Sequence, residues 1–421
     1  MKAPVDLPLG VVSFLLLAST VLGSSSRINN HTRPTAAKVS VPMQSSPLGP
    51  LFNITLGTPP QPLTMLSDWT WMSLFARSAN CLGSYNISKC IPSGQEYFDE
   101  RRSRTFATTN LSATGWERTS FLPGYEFAVT YDRDKVCIGD ICDNGVVFQL
   151  SDFDIAVDEA VPFGGIFGLS PVFPSENVTF YPASYQAYLG GQLGPKVGFH
   201  SCAALTSKST CGGGDMQTVF GGTAGSDVFD PTDVVRFDVD VGSCLSESSP
   251  LNVTPSRNNF WAIEWTGMWI GSEKVDLNRE TVLTGCADGT PRAVFDEGSE
   301  GYGAPVPLNA LADFLLATNA TESGPGSAVS YLLPGVDDLD RLPTLTYEFE
   351  GKQNYTVSPR TYVSCSGGNC TLNIKTWDFY SNGPMALFGQ TFFETLYVIL
   401  DFESLQVGLA PLKKSLIASG K

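Results

Sequence analysis

Short runs of alternating apolar and polar residues recur along the chain, separated by Gly, Pro, Asn and Ser. Residues 51–56, 126–131, 234–241, 344–349 and 396–402 are of this kind. A period of two turns one face of each run inward and the other outward, so these runs predict half-buried strands. Helical spacing is rare. Its best example is 308–318, with apolar residues at 308, 311, 314 and 315. The pattern predicts an all-β protein, and no short solenoid or propeller repeat is present. One long-range echo stands out. A hydrophobic run ends in Asp in each half: Leu63-Thr64-Met65-Leu66-Ser67-Asp68 and Ala293-Val294-Phe295-Asp296. Two β lobes, each offering one Asp, predict a paired-carboxylate site between them. The Gly-rich segment 211–225 marks the expected boundary. It separates an N-terminal lobe over 38–211 from a C-terminal lobe over 212–414, with 415–421 as a tail.

The first residues do not fit this pattern. Lys2 precedes an uncharged, almost wholly apolar run over 9–22, and Val21-Leu22-Gly23 places small residues for cleavage after Gly23. The run is shorter than the roughly 20 residues a membrane span needs. Residues 1–23 are therefore expected to be a signal peptide and 24–37 a short tail, with no membrane anchor. The expected product is secreted and extracellular, with a vacuole as the other possible destination.

Charge and cysteine content agree with export. The 421 residues hold 26 basic and 42 acidic side chains, a net charge of −16. Such a surface repels nucleic acid and anionic membranes. The chain has only two histidines, His31 and His200, which disfavours a Ser-His-Asp triad or a multi-histidine metal site. Catalysis would rest on carboxylates, with no metal and no cofactor. Ten cysteines in an exported chain read as disulfides. Pairing in sequence order closes short loops: Cys81–Cys90, Cys137–Cys142, Cys202–Cys211, Cys244–Cys286 and Cys365–Cys370. The sequence alone leaves other pairings open. Nine Asn-x-Ser/Thr sequons, at Asn30, Asn53, Asn86, Asn110, Asn177, Asn252, Asn319, Asn354 and Asn369, predict a glycoprotein.

Several ordered motifs carry a resemblance. They are Phe52-Asn53-Ile54-Thr55-Leu56-Gly57-Thr58-Pro59-Pro60-Gln61, then Asp68, then Phe163-Gly164-Gly165-Ile166-Phe167-Gly168-Leu169 and Val219-Phe220-Gly221-Gly222. Asp296 and the closing segment from Ala386-Leu387-Phe388-Gly389-Gln390 to Val407-Gly408-Leu409-Ala410-Pro411 complete the set. Together they resemble the pepsin family of aspartic proteases from about Lys38 to Leu412. The resemblance implies an all-β, bilobal acid-protease fold, two β-barrel-like lobes with a cleft between them, and Asp68 and Asp296 as the catalytic pair. Two carboxylates a few ångströms apart cannot both ionise cheaply, so they would share a proton. The ionised one would activate water, and the protonated one would polarise the scissile carbonyl.

The loops themselves depart from the family's Asp-Thr-Gly-Ser/Thr pattern. The first reads Asp68-Trp69-Thr70-Trp71 and the second Asp296-Glu297-Gly298-Ser299. Trp69 and Glu297 replace the bracing Thr residues, and Thr70 replaces a Gly whose conformations a β-branched residue cannot all reach. Glu297 threatens a third negative charge beside the pair. The family's flap carries a Tyr-Gly motif. Here the matching stretch offers only Phe121-Leu122-Pro123-Gly124-Tyr125, with Tyr125 as its candidate. About 14 residues between Gly23 and Lys38 are too few for the family's basic prosegment. These departures predict a secreted, monomeric homologue with little or no peptidase activity that binds a peptide or protein in the cleft. Trp69 and Trp71 would plug or floor that cleft, or, since they alternate, one would enter the core and the other face the cleft. The alternative is an active endopeptidase at acidic pH.

Overall fold

The computed structural model describes residues 36–80, 94, 96–112, 117–118, 126–154, 163–173, 181–241, 259–277, 289–298, 303–324, 330–335, 338–366, 368–377 and 385–418. All of them belong to one compact unit, 36–421. The expected signal peptide and most of the short tail lie outside the described residues, as do Tyr125, Ser299 and the cysteines Cys81, Cys90, Cys244 and Cys286.

Strands dominate, as the alternation predicts. Leu345–Phe349 buries every second residue, whereas Leu396–Asp401 is buried throughout because it lies inside a sheet covered on both faces. A 14-stranded sheet carries strands from both halves of the sequence. Lys196–Ser201 pairs with Met216–Phe220 on one side and with Leu396–Asp401 on the other. The Gly-rich segment expected as a boundary thus contributes a central strand, which also pairs with Val39–Ser46. A six-stranded sheet in the second half includes Ala262–Ile270, Arg292–Phe295 and Met385–Phe388. Both sheets pack one continuous core that runs from Val41 to Leu409 and includes Trp69, Trp261 and Trp265. The helix Leu308–Thr318 forms where its spacing predicts. It buries Ala310, Phe314 and Thr318, while Leu308 stays half-exposed because it opens the first turn.

The echo between the halves is structural as well as sequential. Gln61–Asp68 lies parallel to Gly165–Gly168, with Asp68 opposite Gly168. Arg292–Phe295 lies parallel to Met385–Phe388, with Phe295 opposite Phe388. Each Asp therefore leaves the end of a buried strand beside a parallel partner. The segment that follows Asp68 folds back so closely on Gly165–Gly168 that glycine is required there. A Cβ on Gly165 would stand 2.0 Å from the Phe75 carbonyl oxygen, and one on Gly168 would stand 2.3 Å from that of Trp71. The second strand is anchored by charge. Arg292 Nε donates to Asp240 Oδ2 at 2.5 Å and Nη1 donates to the Thr290 carbonyl at 2.6 Å, with the Arg292 side chain only 5% exposed. Asp240→Ala is expected to remove the buried guanidinium's carboxylate partner and to cost about 3 kcal/mol, read as a lower urea midpoint. Asp240→Asn should recover part of the loss.

Three expected disulfides are present. Cys137–Cys142 and Cys365–Cys370 each join directly opposed residues across a hairpin, and Cys202–Cys211 closes the loop after Lys196–Ser201. Asn53, Asn319, Asn354 and Asn369 are exposed. Asn110 lies in the strand Ala107–Ser112, and the other four sequons fall outside the described residues. No helix among the described residues is long and apolar enough to cross a membrane.

Candidate active site

Asp68 ends its strand and turns back on its own loop. Its Oδ1 accepts from the Thr70 amide at 2.8 Å, the Thr70 hydroxyl at 2.7 Å and the Trp71 amide at 3.0 Å. An Asp that bonds amides two and three residues on makes a local turn by itself. Burial pushes the Asp68 carboxyl up from its ordinary value, and the three donors oppose that rise. The strain expected at Thr70 is absent. Thr70 is not among the residues with positive φ, so the turn asks nothing that a β-branched residue cannot supply. Its hydroxyl adds a donor that glycine would lack.

Asp296 repeats the arrangement. It is 3% exposed, and its Oδ1 accepts from the Gly298 amide at 2.9 Å. Its own amide donates to the Phe388 carbonyl at 2.9 Å, which ties it to the parallel partner strand. A Cβ at Gly298 would stand 3.2 Å from Asp296 Oδ1, so the residue keeps the carboxylate's near side clear.

Glu297 joins the two loops. Its side chain is fully buried and crosses to the first loop. Ser67 Oγ donates to Oε1 at 2.5 Å and the Trp69 amide donates to Oε2 at 3.2 Å. Gln390 Nε2 donates to the Glu297 carbonyl at 2.8 Å, so the main chain is held from the other side. Burial, then the charges of Asp296 and Asp68, push the Glu297 carboxyl well above its ordinary value, against the Ser67 bond. Both aspartates thus lie within electrostatic reach of one carboxyl. Burial and the two aspartates therefore oppose the third negative charge expected from the sequence.

The two tryptophans take different places. Trp69 is fully buried, with Phe199 edge-on at 5.3 Å and Phe393 tilted at 5.3 Å, so it is core and neither plugs nor floors a cleft. Trp71 is half-buried. Its Nε1 donates to Gln149 Oε1 at 3.2 Å, and Gln149 Nε2 donates to the Tyr131 hydroxyl at 3.2 Å. Trp71 thus holds Asp68 with its main-chain amide and is itself held, through its indole, by Gln149 and Tyr131. Ser67, Gln390, Gln149 and Tyr131 were not singled out from the sequence. Ser67 and Gln390 lie within the quoted motifs, but their partners become visible only in three dimensions. Of the potential metal ligands, His200 approaches Cys202 and Cys211. Those sulfurs are bonded to each other, so they offer no thiolate, and burial lowers the imidazole pKa to about 4.

Comparison with known proteins agrees with this geometry. The sequence model of the eukaryotic aspartyl protease family matches residues 51–412. The chain is 45% identical to the secreted aspartic protease LUC8 of a Fusarium species, over 91% of this chain and 93% of that protein. It is 38% identical to the secreted aspartic protease FUS4 of Gibberella moniliformis, over 89% and 91%. It is 30% identical to the aspartic protease-like protein pytH of Aspergillus terreus, over 85% and 89%. With two Asp-ended strands in parallel pairings and a family match over nearly the whole described unit, this chain belongs to the eukaryotic aspartyl protease family.

Proposed function

We propose that this chain is an exported, monomeric aspartic endopeptidase of low turnover, acting on peptide bonds at acidic pH through Asp68 and Asp296. One observation carries the reading: each aspartate Oδ1 accepts the main-chain amide two residues on, from Thr70 and from Gly298, and both aspartates act electrostatically on the one Glu297 carboxyl. Matched turns of this kind support a pair of carboxylates that shares a proton. Low turnover follows from the first loop. Trp71 stands where the family has a positioning hydroxyl, and its Nε1 is spent on Gln149. A misplacement of about 1 Å costs on the order of 10²-fold in rate. Asp68 and Asp296 would alternate as base and acid, and Gly298 would leave room for the attacking water.

The same Trp71 observation favours a second reading, in which the cleft holds a peptide or a protein segment without cutting it. A broad peptide library between pH 3 and 6, with and without a statine-type inhibitor, separates the two. Cleavage that the inhibitor stops supports the peptidase. Inhibitor binding without cleavage supports the binding role, and neither cleavage nor binding overturns both.

A further inference from the structure

Glu297 has no counterpart in an Asp-Thr-Gly loop, yet it makes the contacts that tie one aspartate loop to the other. Its two carboxyl oxygens reach Ser67, the residue before Asp68, and the amide of Trp69, the residue after it. Trp69 returns nothing comparable, because its side chain is buried among Phe199 and Phe393. The second loop therefore braces the first through one side chain. We propose that Glu297 is a positioning residue whose carboxyl clamps the Asp68 and Asp296 loops together, and that loss of its proton releases the clamp and sets the alkaline limit of the site.

This deepens the reading of Asp68 and Asp296 as a working pair. In the neutral acid both oxygens can still accept, Oε1 from the Ser67 hydroxyl and Oε2 from the Trp69 amide. Both oxygens are then used and no charge is added. After ionisation the same two donors remain, but a carboxylate then stands in a fully buried position facing two others. The titratable groups that face it are Asp296 on its own loop and Asp68 on the opposite one; Ser67, Trp69 and Gln390 bring no charge. Burying an uncompensated charge beside two like charges is costly, so the ionised form favours separation of the loops. Binding of the proton and closure of the site are thereby linked.

Glu297→Gln tests the clamp with a readout that does not need turnover. The amide keeps an oxygen for the Trp69 amide and a donor for Ser67, and it cannot ionise. The folded-state value of Glu297 lies above its unfolded value. Wild-type stability therefore falls as pH rises from about 4.5 toward the folded value, and the Gln variant escapes that loss. In thermal melts of the full mature chain, the Tm of E297Q should gain on wild type by about 2 °C per pH unit across that window. Binding of a statine-type inhibitor to E297Q should persist to higher pH than in wild type. Glu297→Ala should lose inhibitor affinity at pH 4 by about tenfold or more, since the clamp is gone in every protonation state. Superimposed Tm–pH curves for wild type and E297Q would overturn the clamp, whatever the activity. Absence of cleavage with the Tm difference intact would remove the peptidase reading and leave the clamp standing.

Discussion

Asp296→Asn is expected to abolish peptide hydrolysis between pH 3 and 6 while leaving the protein folded. The substitution is nearly isosteric. The Asn carbonyl oxygen can still accept from the Gly298 amide at 2.9 Å, and the main-chain bond from residue 296 to the Phe388 carbonyl does not involve the side chain. What disappears is the ability to carry and release a proton. A pair that must alternate as acid and base loses both roles when one member cannot titrate, and the general acid–base contribution alone is about 10²–10⁴-fold. A fall of about 10³-fold in kcat/KM, with an unchanged melting curve at pH 4, is the expected result. Asp68→Asn should fall as far but cost more stability. Its Oδ1 gathers three donors, and a neutral acceptor holds them less tightly than a carboxylate. Cleavage by D296N within tenfold of wild type would remove Asp296 from the chemistry.

Much of this arrangement was legible in the sequence because it depends on short-range pattern. A buried strand that ends in Asp, and a glycine run able to lie against it, are both visible as runs of residue types, and the parallel pairings followed. The parts that were not legible depend on direction and partner. Trp69 and Thr70 look like damage when set against the family's loop. Yet the indole points into a pocket between Phe199 and Phe393, and the Thr70 hydroxyl points at Asp68. Glu297 looks like a misplaced charge because sequence gives a carboxyl its ordinary pKa. Complete burial and two acidic neighbours push that pKa upward, and that follows only from the fold. Its partner Ser67 is 230 positions away along the chain. Leu308 misled in the other direction: its helical spacing is right, but the first turn leaves it half-exposed.

The second large effect concerns Trp69. Replacing it by Thr would restore the family's residue, and the expectation is that the protein loses stability and gains no activity. The indole is completely buried and fills space between the strand Lys196–Ser201, which bears Phe199, and the helix Gln390–Phe393, which bears Phe393. Thr leaves most of that volume empty and places a hydroxyl against two aromatic rings. Large-to-small changes of this kind cost about 3–5 kcal/mol, and an unmatched buried hydroxyl adds to the loss. Trp69→Phe should cost much less. It keeps most of the ring area and removes an indole N–H that has no hydrogen-bond partner among the described residues. Urea titrations of the two variants at pH 4 should therefore show the Thr midpoint well below the Phe midpoint, with Phe close to wild type. Equal midpoints would mean that the pocket collapses around the smaller side chain. The ranking bears on function, because the family's Thr would have to reach the opposite loop, and the brace it would make already belongs to Glu297. A single reversion at 69 creates a cavity without a vacant partner. Only Trp69→Thr combined with Glu297→Thr offers the symmetric brace, so the two positions should be strongly non-additive in a double-mutant cycle.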